Sequence, residues 1–206
     1  IYFVMGRAGS EGVPLYKAMF DHKPPLIYIM AGIAPTMLAF RGLLAGVMVV
    51  HTILFWNLAQ LFWMKTRPAL MYISTLLFVV ISTLPTFEGL TVNAELLMMM
   101  PVTAAVLIMW NVAERSREGQ RSAWDKYLVA GLLGGIGWLF KIPVVADMVA
   151  LGLYFFVFNK ASLREGIRAL FSWSFVSYVA AFVAPLLLTF AYYYLKGTGP
   201  DYLATV

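Results

Sequence analysis

Residues 42–64 read GLLAGVMVVHTILFWNLAQLFWM, a stretch without a single charged side chain. A helix needs about 20 apolar residues to cross the hydrocarbon core of a bilayer, so this stretch predicts a transmembrane helix. Five further apolar runs predict membrane helices over 69–85, 95–112, 127–140, 142–158 and 169–195. The sequence therefore predicts an all-α, polytopic membrane helical bundle with about six membrane helices.

The composition of the chain agrees with a membrane protein. Of its 206 residues, 62% are hydrophobic and only 12% are charged, and the mean hydropathy is +0.81. A soluble domain is far less apolar. The net charge of +5 comes from residues in short loops, which argues against a nucleic-acid partner. Cysteine is absent, which excludes disulfides and thiolate metal sites.

The ends of the sequence carry neither a starting Met nor a signal peptide nor a terminal tail. We therefore expect residues 1–206 to be part of one membrane domain that is truncated at both termini.

Lysine and arginine residues set the expected orientation in a cell membrane. They concentrate in three short connections, at residues 65–67, 115–126 and 160–168. We expect these loops to be cytoplasmic and to contact anionic membrane lipids. Alternating helices then place the segment up to Arg41, the loop TFEGLTVNAE, Lys141 and the tail KGTGPDYLATV on the extracytoplasmic side.

Residues 26–40 are also apolar, but Pro35 interrupts this run and Arg41 ends it. A helix continuous with the following span would be too long for the bilayer. We therefore expect 26–40 to form an interfacial helix at the membrane surface. In this interpretation 1–41 is the first extracytoplasmic loop, and 42–206 contains the membrane helices.

A polar cluster formed by Asp21, His22 and Lys23 directly precedes Pro24 and Pro25. The two prolines stiffen the backbone, and the first pushes Lys23 away from helical geometry. A lysine fixed at the level of the headgroups can bind a phosphate as a point charge. Alternatively, the lysine snorkels at a helix start that the aspartate caps.

Two more ionisable groups lie where apolar runs begin or break. Glu95 begins a helix, where it can cap the positive end of the helix dipole, contact a sugar hydroxyl or assist a catalytic base. Lys141 lies in a tight turn, where it can pair with Asp147 or face an anionic lipid headgroup. Glu88 is expected to be solvated.

Polar residues within the span 42–64 have simpler interpretations. His51 is expected to be a packed, hydrogen-bonded histidine, and Asn57 and Gln60 are expected to form hydrogen bonds between helices. Nucleotide-binding glycine motifs and histidine or cysteine zinc spacings do not occur in the sequence.

The stretch GVPLYKAMFDHKPPLIY, followed by AFRGLLAGVMVV, resembles the first extracytoplasmic loop and second membrane helix of GT-C glycosyltransferases. The nearest branch is the protein O-mannosyltransferase-like glycosyltransferase family 39, which includes the aminoarabinose transferase of lipid A. TVNAELLMMMP is similar to a later acidic loop of this family, and YLVAGLLGGIGWLFKIPVV is similar to its lysine-bearing hairpin.

The resemblance implies an enzyme with a GT-C type bundle. Such enzymes move a sugar from a polyprenyl-phosphate donor to a lipid, glycan or protein acceptor on the extracytoplasmic side. The resemblance places the main catalytic aspartate, with the first membrane helix, upstream of Ile1. Glu11 is a less favoured substitute for that aspartate.

The resemblance also assigns roles within this sequence. Glu95 and Asp21 would be the catalytic carboxylates here, and the phosphate contacts would be Lys23, His22, Arg41 and Lys141. It assigns no metal ligand and no certain cofactor. Whether a divalent cation takes part stays open. In relatives an acidic residue directly precedes the lysine, whereas here it lies one residue earlier, at Asp21. A lipid or solute transporter, a flippase and a non-catalytic relative remain as alternatives.

Overall fold

The computed structural model describes residues 1–18, 21–84, 91–118 and 124–205. The structure is 79% helical, and the described residues contain no β-strand. The helices in chain order are α1 (Tyr2–Ser10), α2 (Leu26–Ile33), α3 (Met37–Trp63), α4 (Pro68–Thr83), α5 (Ala94–Arg117), α6 (Trp124–Trp138), α7 (Val144–Leu153), α8 (Leu163–Ala169), α9 (Trp173–Leu195) and α10 (Gly199–Thr205). The predicted all-α fold is confirmed.

Three of these helices, α3, α5 and α9, are long and apolar enough to cross a membrane. Together with the helical fold, they make the chain a membrane helical bundle. Two more helices are apolar but shorter: α4, and α7 together with the π-helical turn Tyr154–Phe158 that extends it. The count of about six spans and the division of the chain at residue 41 stay predictions.

The largest difference from the sequence prediction lies between α2 and α3. The interfacial helix predicted over 26–40 ends at Ile33, and residues from Met37 onward belong to α3. The cause is the Pro35–Thr36 pair. The proline cannot continue a helix, and the Thr36 hydroxyl accepts a hydrogen bond from Ala39 N at 3.1 Å, which caps the new helix. Arg41 therefore lies inside α3.

A second difference concerns the C-terminal third of the chain. The span predicted over 169–195 begins only at Trp173, because the Ser172 hydroxyl accepts a hydrogen bond from Phe175 N at 3.3 Å and caps α9. The expected tail after Leu195 turns at Gly197, which has a φ of 75°, and continues as α10. Tyr202 of α10 is buried against α9.

Helix α6 packs closely against α9 because glycines line its surface. A Cβ atom at Gly131 would collide with the carbonyl oxygen of Tyr178, and one at Gly135 would lie 2.5 Å from that of Phe182. Small residues allow membrane helices to approach this closely. The sequence GLLGGIG thus fixes the axis around which α5, α7 and α9 are arranged.

Helices α1 and α2 also pair through glycine. A Cβ atom at Gly6 would collide with the carbonyl oxygen of Tyr28, and one at Gly32 would lie 2.8 Å from that of Gly6. The buried face of α2, which includes Ile27 and Tyr28, joins one apolar cluster with the start of α5. Tyr2, Leu15 and Leu26 pack against the same cluster.

Candidate functional site

Three segments that are far apart in sequence meet at one end of the bundle. Leu26 N donates a hydrogen bond to Leu139 O at 3.1 Å, which joins the start of α2 to the end of α6. The Lys141 ammonium donates to Glu95 at the start of α5. All three segments were predicted to lie on one side of the membrane, and the contacts agree with that grouping.

Lys23 is held by a rigid stretch of chain. Pro24 and Pro25 directly after it are fully buried. The Lys23 ammonium donates a hydrogen bond to the Tyr2 hydroxyl and lies 4.6 Å from the centroid of the Tyr2 ring. Partial burial alone would lower the pKa of Lys23, but the Tyr2 hydrogen bond and the nearby carboxylates of Glu95 and Asp21 raise it above its ordinary value. Lys23 is therefore a fixed cation.

The backbone around Lys23 is positioned by two tyrosines. The Tyr16 hydroxyl donates to Lys23 O at 2.8 Å, and Tyr16 itself is buried with a φ of 70°. The Tyr28 hydroxyl donates to Asp21 Oδ2 at 2.6 Å. Burial and then the Asp21 carboxylate raise the pKa of Tyr28, so its hydroxyl remains a donor. The Asp21 carboxylate is thus positioned by Tyr28 and does not cap a helix.

Glu95 lies in the first turn of α5, where Asn93 and not Glu95 is the N-cap. The Asn93 side-chain oxygen accepts a hydrogen bond from Glu95 N at 3.3 Å. Lys141 binds Glu95 Oε1, while Glu95 Oε2 is buried without a hydrogen-bond partner in the described part of the chain. The expected pairing of Lys141 with Asp147 is wrong, because the turn after α6 directs the ammonium toward α5.

A polar cavity of about 500 Å³ lies between α1, α3 and the start of α5. Its ionisable lining residues are Lys23, Arg41 and Glu95, with Asn93 beside them. The apolar part of the wall includes Phe40. Two cationic side chains and one carboxylate residue therefore line the same cavity.

A second cavity, of about 460 Å³, lies between α3 and α4. Its lining is mainly apolar, with Leu44 and Met48 on α3 and Val79 on α4. Arg41 lines this groove as well as the polar cavity. Arg41 therefore lies between the polar cavity and the apolar groove.

The structure separates the candidate residues into two groups. Lys23, Arg41 and Glu95 line the polar cavity, whereas Asp21, His22 and Lys141 are not among its described lining residues. Asp21 instead accepts a hydrogen bond from the Tyr28 hydroxyl, and Lys141 donates one to Glu95. Glu11 is exposed and pairs with Arg7 at 3.7 Å. Glu88 and Arg121 lie outside the described residues.

Sequence reasoning missed the tyrosines of the site. Tyr2 binds Lys23, and Tyr16 and Tyr28 position its loop. Tyrosines are common at membrane interfaces, so their residue type alone gave no signal. The placement of Tyr16 four residues after Gly12, in the loop before Lys23, was the one local pointer.

Polar groups in α3 follow the predictions only in part. His51 Nε2 and Thr103 Oγ1 are 3.0 Å apart across α3 and α5, which confirms a buried, hydrogen-bonded histidine. The prediction for Asn57 is wrong, because its side chain donates to Ile53 O of its own helix at 2.7 Å and is exposed. The Gln60 prediction stays open.

The opposite end of the bundle also collects segments predicted on a common side. Arg117 at the end of α5 donates to the Asn159 side chain at 2.7 Å and to Glu114 at 2.9 Å. The first contact joins the end of α5 to the residue directly before the basic segment that begins at Lys160.

In the described part of the chain, no group of three or more His, Asp or Glu side chains is arranged to hold a metal ion. No family model, curated protein or solved structure matches this chain.

Proposed function

We propose that this protein is a membrane glycosyltransferase that takes a sugar from a polyprenyl-phosphate donor. The observation that carries the proposal is the position of Arg41, between a polar cavity and an apolar groove. A polyprenyl-phosphate sugar has matching parts, namely a sugar and phosphate next to a long apolar chain. The resemblance of the loop 12–28 to GT-C glycosyltransferases agrees with this match.

The two cations suit the departure of the donor phosphate. When the bond between the anomeric carbon and the phosphate oxygen breaks, negative charge builds on the leaving polyprenyl phosphate. Positioned cations stabilise such charge without reorganising during the reaction. Lys23 and Arg41 would take this role, with Lys23 kept charged by its surroundings.

Glu95 suits the role of general base. Lys141 binds one carboxylate oxygen, and the buried Oε2, which has no hydrogen-bond partner in the described part of the chain, would accept the proton of the acceptor hydroxyl once the acceptor reaches it. The acceptor oxygen then bonds to the anomeric carbon as the phosphate leaves. In this scheme Lys141 orients the base, Asp21 shapes the loop that carries Lys23, and His22 is an outer phosphate contact.

We further propose that the site faces the extracytoplasmic side of the cell membrane. Arg117, within one of the basic connections, and Asn159, directly before another, are in contact at the other end of α5, which supports a shared cytoplasmic side for those two connections. The acceptor would be a lipid, glycan or protein on that side. A divalent cation is not required by this scheme.

A transporter is the second candidate, favoured by the ion pair between Glu95 and Lys141. Lys141 lies where the chain breaks between α6 and α7, and charged pairs at such breaks occur on transport pathways. A carrier would move a solute or lipid and leave its glycosidic bonds intact.

The test is sugar transfer in membranes that contain the whole protein, supplied with a radiolabelled polyprenyl-phosphate sugar. We expect labelled acceptor with the wild type and at least about 100-fold less with Glu95→Gln, because general base catalysis contributes about 10²–10⁴-fold. Movement of intact label across the membrane without transfer to an acceptor would favour the transporter and overturn the proposal.

A further inference from the structure

A third cavity is separate from the candidate site. It has a volume of about 620 Å³ and lies between α1, α2 and the C-terminal end of α9. It shares no lining residue with the polar cavity around Lys23 within the described ranges. A ligand in this cavity would therefore contact residues other than those that line the polar cavity.

Two lysines from distant parts of the chain line this cavity. Lys17 follows Tyr16, and Lys196 ends α9 three residues after Tyr193. The rings of Tyr16 and Tyr193 pack edge to face with their centroids 5.2 Å apart, which brings the two lysine-bearing segments together. The fold thus places both lysines at one cavity.

Neither lysine forms an ion pair within the described residues. In the described part of the chain no carboxylate oxygen lies within 4.0 Å of the Lys17 or Lys196 ammonium group. The ammonium of Lys196 lies 5.9 Å from the centroid of the Tyr192 ring. By contrast, Lys141 at the candidate site is bound by Glu95. The cavity therefore carries an uncompensated positive charge.

The remaining wall of the cavity is mainly apolar and is open to the surroundings. Ile29 and Ile33 of α2 line it while remaining 50% and 72% exposed, and Tyr192 of α9 is 56% exposed. Tyrosines next to a lysine at the end of a membrane helix are typical of the headgroup level of a bilayer. An apolar surface next to two cations at this level matches an acyl chain attached to an anionic headgroup.

We propose that this cavity binds an anionic phospholipid, with its phosphate at Lys17 and Lys196 and an acyl chain along Ile29 and Ile33. The proposal does not depend on sugar transfer, because no residue of the polar cavity takes part. A free phosphate ion would use the same two lysines but would gain nothing from the two isoleucines.

The experiment is native mass spectrometry of the whole protein in detergent, titrated with phosphatidylglycerol or with phosphatidylcholine. We expect selective retention of phosphatidylglycerol by the wild type. The double variant K17Q/K196Q should bind it about 25-fold more weakly, at about fivefold for each lysine near a charged membrane surface. K17R/K196R should retain binding, because the charge is kept.

The matched control is K65Q/K160Q, which removes the same charge from exposed loop lysines outside the cavity. Because these loop lysines are expected to contact anionic lipids only at the membrane surface, we expect this control to weaken phosphatidylglycerol binding less than K17Q/K196Q does. Equal losses in both double variants, or equal affinity for the two lipids, would overturn the proposal.

Two further arms separate a lipid from free phosphate. Inorganic phosphate should not displace phosphatidylglycerol at equal concentration, and displacement would overturn the lipid assignment. The variant I29N/I33N should weaken phosphatidylglycerol binding while both lysines remain. Unchanged binding in this variant would also contradict the proposed acyl-chain contact.

Discussion

The Lys141 ammonium binds Glu95 Oε1 across the interface between α5 and the turn after α6. The two side chains are 29% and 39% exposed, so water screens part of their attraction. The pair leaves Glu95 Oε2 buried and without a hydrogen-bond partner in the described part of the chain, and it joins the start of α5 to the turn after α6. It is both a structural contact and a means of orienting a carboxylate.

This pair should show measurable coupling in a double-mutant cycle of Glu95→Gln and Lys141→Gln. We expect a coupling free energy of about 0.5–1 kcal/mol in unfolding, the upper part of the range for pairs that water reaches. The same cycle on Arg117 and Glu114, which are 58% and 47% exposed, is the control and should give a smaller value. Coupling no larger than that of the control would contradict a pair that fixes two helices.

The apolar groove should be sensitive to filling. Ala45→Trp places a large ring in the groove between α3 and α4, where we expect polyprenyl phosphate to bind at least about tenfold more weakly. Val50→Trp is the matched control, because Val50 is 47% exposed and is not among the groove's described lining residues. The affinity for polyprenyl phosphate can be measured by tryptophan fluorescence or with a labelled lipid. Equal affinities in the two variants would contradict a role of the groove in binding the lipid chain.

The packing of α6 on α9 should tolerate no added methyl group at Gly131. Gly131→Ala drives a Cβ atom into the Tyr178 carbonyl, and overpacking of this kind costs about 1–3 kcal/mol. Gly46→Ala on α3 has no heavy atom within 4 Å of the new Cβ atom and should leave the unfolding temperature unchanged or slightly raised. Thermal unfolding of both variants in detergent checks this prediction. Equal shifts of the unfolding temperature would contradict the close approach of α6 to α9.

The buried contact between His51 and Thr103 should contribute to stability. Thr103→Val keeps the shape but removes the partner of His51 Nε2, at a cost of about 1 kcal/mol. Thr103→Ser should retain most of the stability. Thr189→Val, which removes a hydroxyl whose one hydrogen bond among the described residues is to Pro185 O of its own helix, is the control and should cost less. Indistinguishable unfolding temperatures would contradict this contact.

The helices were predictable because their apolar runs exceed what a soluble domain carries, and Lys23 stood out because two prolines follow it. The boundary at Pro35 and Thr36 was also present in the sequence, as a helix breaker followed by a capping residue. The pairing of Glu95 with Lys141 was not predictable, since 46 residues separate them and no local pattern sets the register of α5 against α6. The same holds for Tyr2 and Lys23, which are 21 residues apart.

The central claim is that Lys23 binds the phosphate of a polyprenyl-phosphate donor. Its most direct test is the dissociation constant of polyprenyl phosphate for the whole protein and for Lys23→Gln, with Lys65→Gln as an exposed control. We expect Lys23→Gln to bind about 10–100-fold more weakly, as for the loss of a charge-assisted hydrogen bond, and Lys65→Gln to bind like the wild type. Equal dissociation constants for the wild type and Lys23→Gln would contradict the account.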